Sequence, residues 1–75
     1  MPTYERFQSI RKLPAVVSSH DDRNDVAEMI IQSAHERLRH PTATVHADVM
    51  TDEIHIHVVY PSRRRRIAIY HCVSP

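Results

Sequence analysis

Four consecutive arginines, Arg63–Arg66, have the clearest potential for binding chemistry in this 75-residue chain. Guanidinium groups form paired hydrogen bonds with phosphate or carboxylate oxygens. The run falls between two segments in which apolar and polar residues alternate, and no acidic residue occurs from Ile54 onward. The pattern therefore predicts a β-hairpin with a basic tip. The residues predicted to contact a partner are Arg63, Arg64, Arg65, Arg66, Tyr70 and His57.

Histidines form a second candidate group on the strands that precede this tip. Pairing Val49 with Ile54 across the first hairpin places Asp48 opposite His55, and His46 opposite His57, on the face away from the helix. His55 and His57 are two residues apart on one strand, so their imidazoles point to the same side of the sheet, as the ligands of a metal ion do. We therefore predict a metal site, for zinc or another divalent ion, or an ordinary solvated sheet face. The candidate metal ligands are His46, Asp48, His55 and His57.

The composition excludes several functional classes. The chain contains no glycine, whereas phosphate-cradling loops of the Walker and Rossmann types need glycine for close backbone approach. No catalytic motif is present, so we predict that the protein is not an enzyme. Cys72 is the only cysteine, which favours a cytoplasmic location over a secreted one. No apolar segment approaches the roughly 18 residues of a membrane span.

A single helix is predicted within residues 20–40, running from about Asp22 to Arg39. Ser19 and Asp22 have the spacing of a helix cap, and Pro41 ends the segment. Apolar residues recur at steps of three and four and form one stripe. The stripe consists of Ala27, Ile30, Ile31, Ala34 and Leu38.

An antiparallel sheet is predicted over residues 42–73. Its strands are Thr42–Val49, Ile54–Tyr60 and Arg65–Val73, in which apolar residues alternate with polar ones. In the last strand, the alternation places Ile67 and Ile69 on the helix side and Tyr70 on the outer face. Residues 1–18 are irregular or form a short strand. The predicted fold is one α+β domain, residues 1–75, with a helix on a three-stranded meander, extended to β-α-β-β-β if the N-terminal strand joins.

These patterns support three functional hypotheses. The first is a small regulatory protein that binds DNA or RNA through the arginine hairpin and acts as a homodimer. The dimer prediction rests on the last strand as a free edge and on an apolar outer face. The second is a small inhibitor or adaptor, of the kind phages and plasmids direct at host proteins, which meets an acidic partner surface. The third is the histidine-rich metal-binding module.

Overall fold

The computed structural model describes residues 1–75 as one α+β domain, with one helix on a five-stranded antiparallel sheet. The elements are β1 (Thr3–Ser9), β2 (Val16–Ser18), α1 (Arg23–Leu38), β3 (Thr44–Val49), β4 (Glu53–Val59) and β5 (Arg64–Ser74). The strand order in the sheet is β2-β1-β5-β4-β3. The α+β class and the single helix are confirmed, but the predicted three-stranded meander is wrong in strand number.

The helix begins and ends where its terminal residues satisfy the backbone. Asp22 is the N-cap and accepts a hydrogen bond from the Asp25 backbone, while the Asp25 side chain accepts one from the Asp22 backbone. This reciprocal pair satisfies two otherwise unpaired N–H groups. At the other end Arg39 takes the left-handed conformation, with φ of 49°. Since the chain has no glycine, an arginine occupies a position that glycine favours.

The core lies between α1 and one face of the sheet, which we call the inner face. Ile54, Ile56 and Val58 of β4 are fully buried there, against Val26 and Ile30 of the helix. A helix and a half-buried sheet each present one apolar surface, and burying the two together removes both from water. The other face of the sheet, the outer face, is not covered by any element. α1 is not long and apolar enough to cross a membrane.

The N-terminal residues complete the sheet. β1 pairs with β5 along most of its length, and β2 pairs with β1. β5 is therefore the central strand, so the expectation that it forms a free edge is wrong. The edge strands are β2, with three residues, and β3, with six.

Candidate nucleic-acid interface

The β4–β5 turn holds the arginine run in a fixed position. Tyr60 N–H donates to the Arg63 carbonyl at 2.8 Å and closes the turn. The Arg63 guanidinium lies 4.8 Å from the centroid of the Tyr60 ring, and the His40 ring meets the same ring edge-on at 5.2 Å. A cation over an aromatic face is attracted by the ring quadrupole. The turn is thus connected to the segment that follows the helix.

A β-bulge in β5 decides which face each arginine side chain occupies. Ile56 pairs with Ala68, whereas its neighbour His57 pairs with Arg66, so Ile67 is an extra residue. Before the bulge, Arg66 shares the outer face with His57, as the alternation predicted. Arg65 pairs with the buried Val58 and so lies on the opposite face. All four arginines are exposed, and the run therefore presents charge to both sides of the tip.

After the bulge, the residues of β5 lie on the face opposite to the one that regular alternation predicts. Tyr70 pairs with Ile54 on the inner face and is 0% exposed. Its hydroxyl donates to the Pro14 carbonyl at 2.6 Å, and burial raises its pKa above the usual value. The prediction that Tyr70 lies on the outer face beside the arginines is therefore wrong. Ile69 lies on the outer face instead, where it pairs with His55.

Most basic residues lie at the same end of the molecule as the turn. The last turn of α1 and the residue after it supply two arginines there, next to His40 and Tyr60. The β1–β2 connection leaves the sheet at this end too, because Ile10 N–H donates to the Ile67 carbonyl at 2.9 Å. We call this surface the basic end. It contains eight of the ten Lys and Arg residues, namely Arg11, Lys12, Arg37, Arg39, Arg63, Arg64, Arg65 and Arg66.

Acidic residues dominate the opposite end, where α1 begins and β3 turns into β4. A surface hollow there is lined in part by Pro2, Asp21, Asp22, Thr51 and Pro75. Six of the nine acidic residues belong to this acidic end, namely Glu5, Asp21, Asp22, Asp25, Asp52 and Glu53. The molecule is 36 Å long, far beyond the screening length of roughly 8 Å at physiological salt. The two ends therefore act electrostatically as separate surfaces.

Three histidines of the outer face contact carboxylates, namely His55, His57 and His71. The predicted register is confirmed: His46 pairs with His57, and Asp48 pairs with His55. The side-chain contact does not join these cross-strand partners, however. His57 Nε2 lies 3.0 Å from Oδ2 of Asp48, the residue that pairs with His55. Burial is the main cause of a lowered pKa at His57, and the nearby Arg64 charge lowers it further. His57 is therefore a neutral donor near pH 7. Asp48 also contacts the Arg64 guanidinium at 3.4 Å.

Glu53 lies between two imidazoles on the same face. Its Oε1 is 2.9 Å from His55 Nε2, and its Oε2 is 2.8 Å from His71 Nε2. The hydrogen bond from His55 is the main reason that the pKa of Glu53 lies below its usual value. Glu53 therefore stays anionic and fixes the orientation of both rings.

Of the four predicted metal ligands, only Asp48 and His57 contact each other. His46 Nε2 lies 3.0 Å from Thr44 Oγ1, His57 binds Asp48, and His55 binds Glu53. No group of three or more His, Cys, Asp or Glu side chains is arranged to hold a metal ion. Metal binding stays a prediction from the sequence, without a ligand set in this structure.

One exposed aromatic residue was missed by sequence reasoning. Phe7 stacks on His71 on the outer face, with ring centroids 4.3 Å apart and an angle of 20° between the planes. Residues 1–18 have no clear alternation, so nothing in the sequence assigns Phe7 to the sheet. Its pairing depends on β5, more than 60 residues further along the chain.

No protein-family model, curated protein or solved structure matches this chain.

Proposed function

We propose that this chain is a small, non-enzymatic regulatory protein that binds nucleic acid through its basic end. The observation that carries the proposal is the collection of eight cationic side chains at one end of a molecule whose formal net charge is only +1. Phosphate contacts by Lys and Arg release condensed counterions and supply most of the affinity of nonspecific binding. A basic surface, rather than a high net charge, is what such contacts require.

The fixed turn also favours this function. The contacts of Arg63 and His40 with Tyr60 hold the turn against the segment after the helix. Arginines on a fixed hairpin lose less conformational entropy on binding than arginines on a flexible tail. The acidic residues lie mainly at the other end, so few of them oppose the approach of phosphates to the basic end.

The test is the salt dependence of binding to a labelled oligonucleotide. Replacing Arg63, Arg64, Arg65 and Arg66 with alanine should weaken binding and flatten the plot of log affinity against log salt. Each lost phosphate contact lowers the slope by about 0.7 for single strands and about 0.9 for duplexes, so four contacts lower it by about 3 to 4. The four side chains are exposed, so the variant should keep its fold, which circular dichroism checks.

Arg23→Ala is the matched control, since it removes an exposed arginine from the acidic end. It should leave both the affinity and the slope unchanged. A wild-type protein that binds no nucleic acid at low salt would end the proposal. Binding of an acidic protein surface by the same arginines would then become the leading explanation.

We include self-association in the proposal, in a form different from that predicted from the sequence. β5 has a paired strand on each side, so an edge-to-edge dimer has to use β2 or β3, and we propose β3 because it is the longer of these two edge strands. Unpaired backbone groups along an edge strand form a template for a second strand. Such a dimer leaves the outer face and the basic end open. Light scattering across a concentration series measures it, and the mass of one chain at every concentration would contradict it.

A further inference from the structure

Phe7 is an exposed aromatic ring held in one orientation. It is 66% exposed, and one face of its ring is covered by His71. His71 is itself fixed by Glu53 at 2.8 Å. The other face of the Phe7 ring is open to solvent. An exposed phenylalanine in a fixed orientation can stack with a flat ligand at a small cost in side-chain entropy.

A β-bulge in β1 directs Phe7 to this position. Arg6 pairs with Tyr70, but Gln8 pairs with Ile69, so Phe7 is the extra residue of β1. Bulges turn a side chain away from the direction that strict alternation would give it. The bulge places Phe7 on the outer face, next to Gln8, which pairs there with Ile69. The ring therefore lies on the uncovered side of the sheet.

A surface hollow lies between Gln8, the neighbour of Phe7, and Arg66 of β5. This hollow of about 220 Å³ lies between β1 and β5 and is lined in part by Gln8, Ile10, Arg66 and Ile69. Arg66 and Ile69 pair with His57 and His55, which are two residues apart on β4, so they are separated by roughly 7 Å along the strand. The Gln8 side chain is exposed and offers both a donor and an acceptor for a base edge. Arg64 lies further along the same face.

We infer that the outer face binds single-stranded nucleic acid, with a base stacked on the open side of Phe7 and the backbone running over the hollow to Arg66 and Arg64. The inference rests on the proposed function and specifies its substrate. Unpaired bases have a free ring face for stacking, whereas bases inside a duplex are already stacked on their neighbours. Aromatic rings combined with a basic track are the usual means of binding single strands.

Phe7→Ala tests the stacking step, with a labelled single-stranded oligothymidylate and a duplex of the same length as probes. Affinity for the single strand should fall by about 5- to 150-fold, the range measured for loss of one base–aromatic stack. Affinity for the duplex should not change. Met29→Ala is the control, because Met29 is an exposed apolar residue on the helix, on the other side of the sheet. Equal effects on both probes, or none, would overturn the inference.

Phe7→Trp provides a second readout that does not depend on affinity. The chain has no tryptophan, so the new indole is the only such fluorophore. A base stacked on it should quench its emission on addition of the unlabelled oligothymidylate, and an unchanged spectrum at saturation would overturn the inference.

The arginine variant separates this inference from the proposed function. If replacing Arg63–Arg66 weakens binding to both probes while Phe7→Ala weakens neither, the basic end binds nucleic acid and the stacking site is wrong. If Phe7→Ala weakens binding to the single strand but loss of the arginines does not, the stacking step stands, whereas binding through the basic end and the backbone path to Arg66 and Arg64 are both wrong.

Discussion

Tyr70→Phe distinguishes the observed position of Tyr70 from the one that simple alternation predicts. In the structure the Tyr70 side chain is 0% exposed, and its hydroxyl donates to the Pro14 carbonyl at 2.6 Å. The bond joins the central strand to the β1–β2 connection, 56 residues away along the chain. Phenylalanine preserves the packing of the ring and removes only this bond.

The substitution leaves the Pro14 carbonyl without the hydroxyl donor of Tyr70, and the expected loss of stability follows from this. A net hydrogen bond contributes about 1 kcal/mol, and a fully buried group left without a partner costs about 1–3 kcal/mol. The bond to the Pro14 carbonyl is part-buried, so the lower part of this range applies. We therefore expect the free energy of unfolding to fall by about 1–2 kcal/mol. In a domain of this size, 1 kcal/mol corresponds to a change of about 4–8 °C in Tm, so the melting temperature should fall by roughly 5–15 °C.

Urea and thermal unfolding followed by circular dichroism measure this loss. Tyr60→Phe is the matched control, since the Tyr60 hydroxyl makes no hydrogen bond within the protein and its ring is only partly buried. It should change stability by less than about 0.5 kcal/mol. Equal stability of the two variants would refute the reasoning. Weaker nucleic-acid binding by Tyr70→Phe at unchanged stability would instead place Tyr70 on the outer face.

Two further predictions concern the helix end and the outer face. Arg39→Gly should raise the free energy of unfolding, measured in urea titrations, by about 0.5–1 kcal/mol. The reason is that Arg39 has φ of 49°, a conformation that glycine adopts without steric strain. A lower free energy of unfolding would show that the contacts of the Arg39 side chain stabilise the protein by more than the strain of its backbone costs. In the folded protein the pKa of His57 lies below its usual 6.5. As the pH falls, His57 is therefore protonated in the unfolded chain before it is protonated in the folded one. Stability should therefore decrease below about pH 6.5, and urea midpoints of His57→Gln should decrease less over that window. Parallel curves for the variant and the wild type would contradict this.

Local signals were sufficient to predict the helix and the first hairpin. The stop before Pro41 lies next to the helix in sequence, and the apolar residues of the stripe recur at a single helical period. The predicted cap pair of Ser19 and Asp22 is wrong in its partner, because Asp22 caps the helix together with Asp25. The register of Val49 with Ile54 follows from two clear alternations across a short turn. It is confirmed along the whole β3–β4 pair. In these elements, neighbouring residues determine the structure.

The phase of β5 could not be predicted in this way. Its segment Ile67–Tyr70 has an apolar residue at every position, so both phases bury apolar side chains equally well. A bulge then decides between them, and the bulge depends on pairing with β1 and β4. Tyr70 was misplaced for this reason: it lies on the inner face and is not part of the predicted apolar outer face.

The separation of charge also depends on the fold rather than on composition. The formal net charge of +1 argues against a nucleic-acid-binding protein if charge is simply summed along the chain. The helix, however, starts beside the β3–β4 turn and ends beside the β4–β5 turn, so its acidic first turn and basic last turn extend the charge already present at each end of the sheet. The same arrangement favours a stable helix, since each charge lies at the favourable end of the helix dipole. One topology thus stabilises the helix and presents a basic surface on a nearly neutral protein, which is why salt dependence at each end, rather than net charge, tests the proposed function.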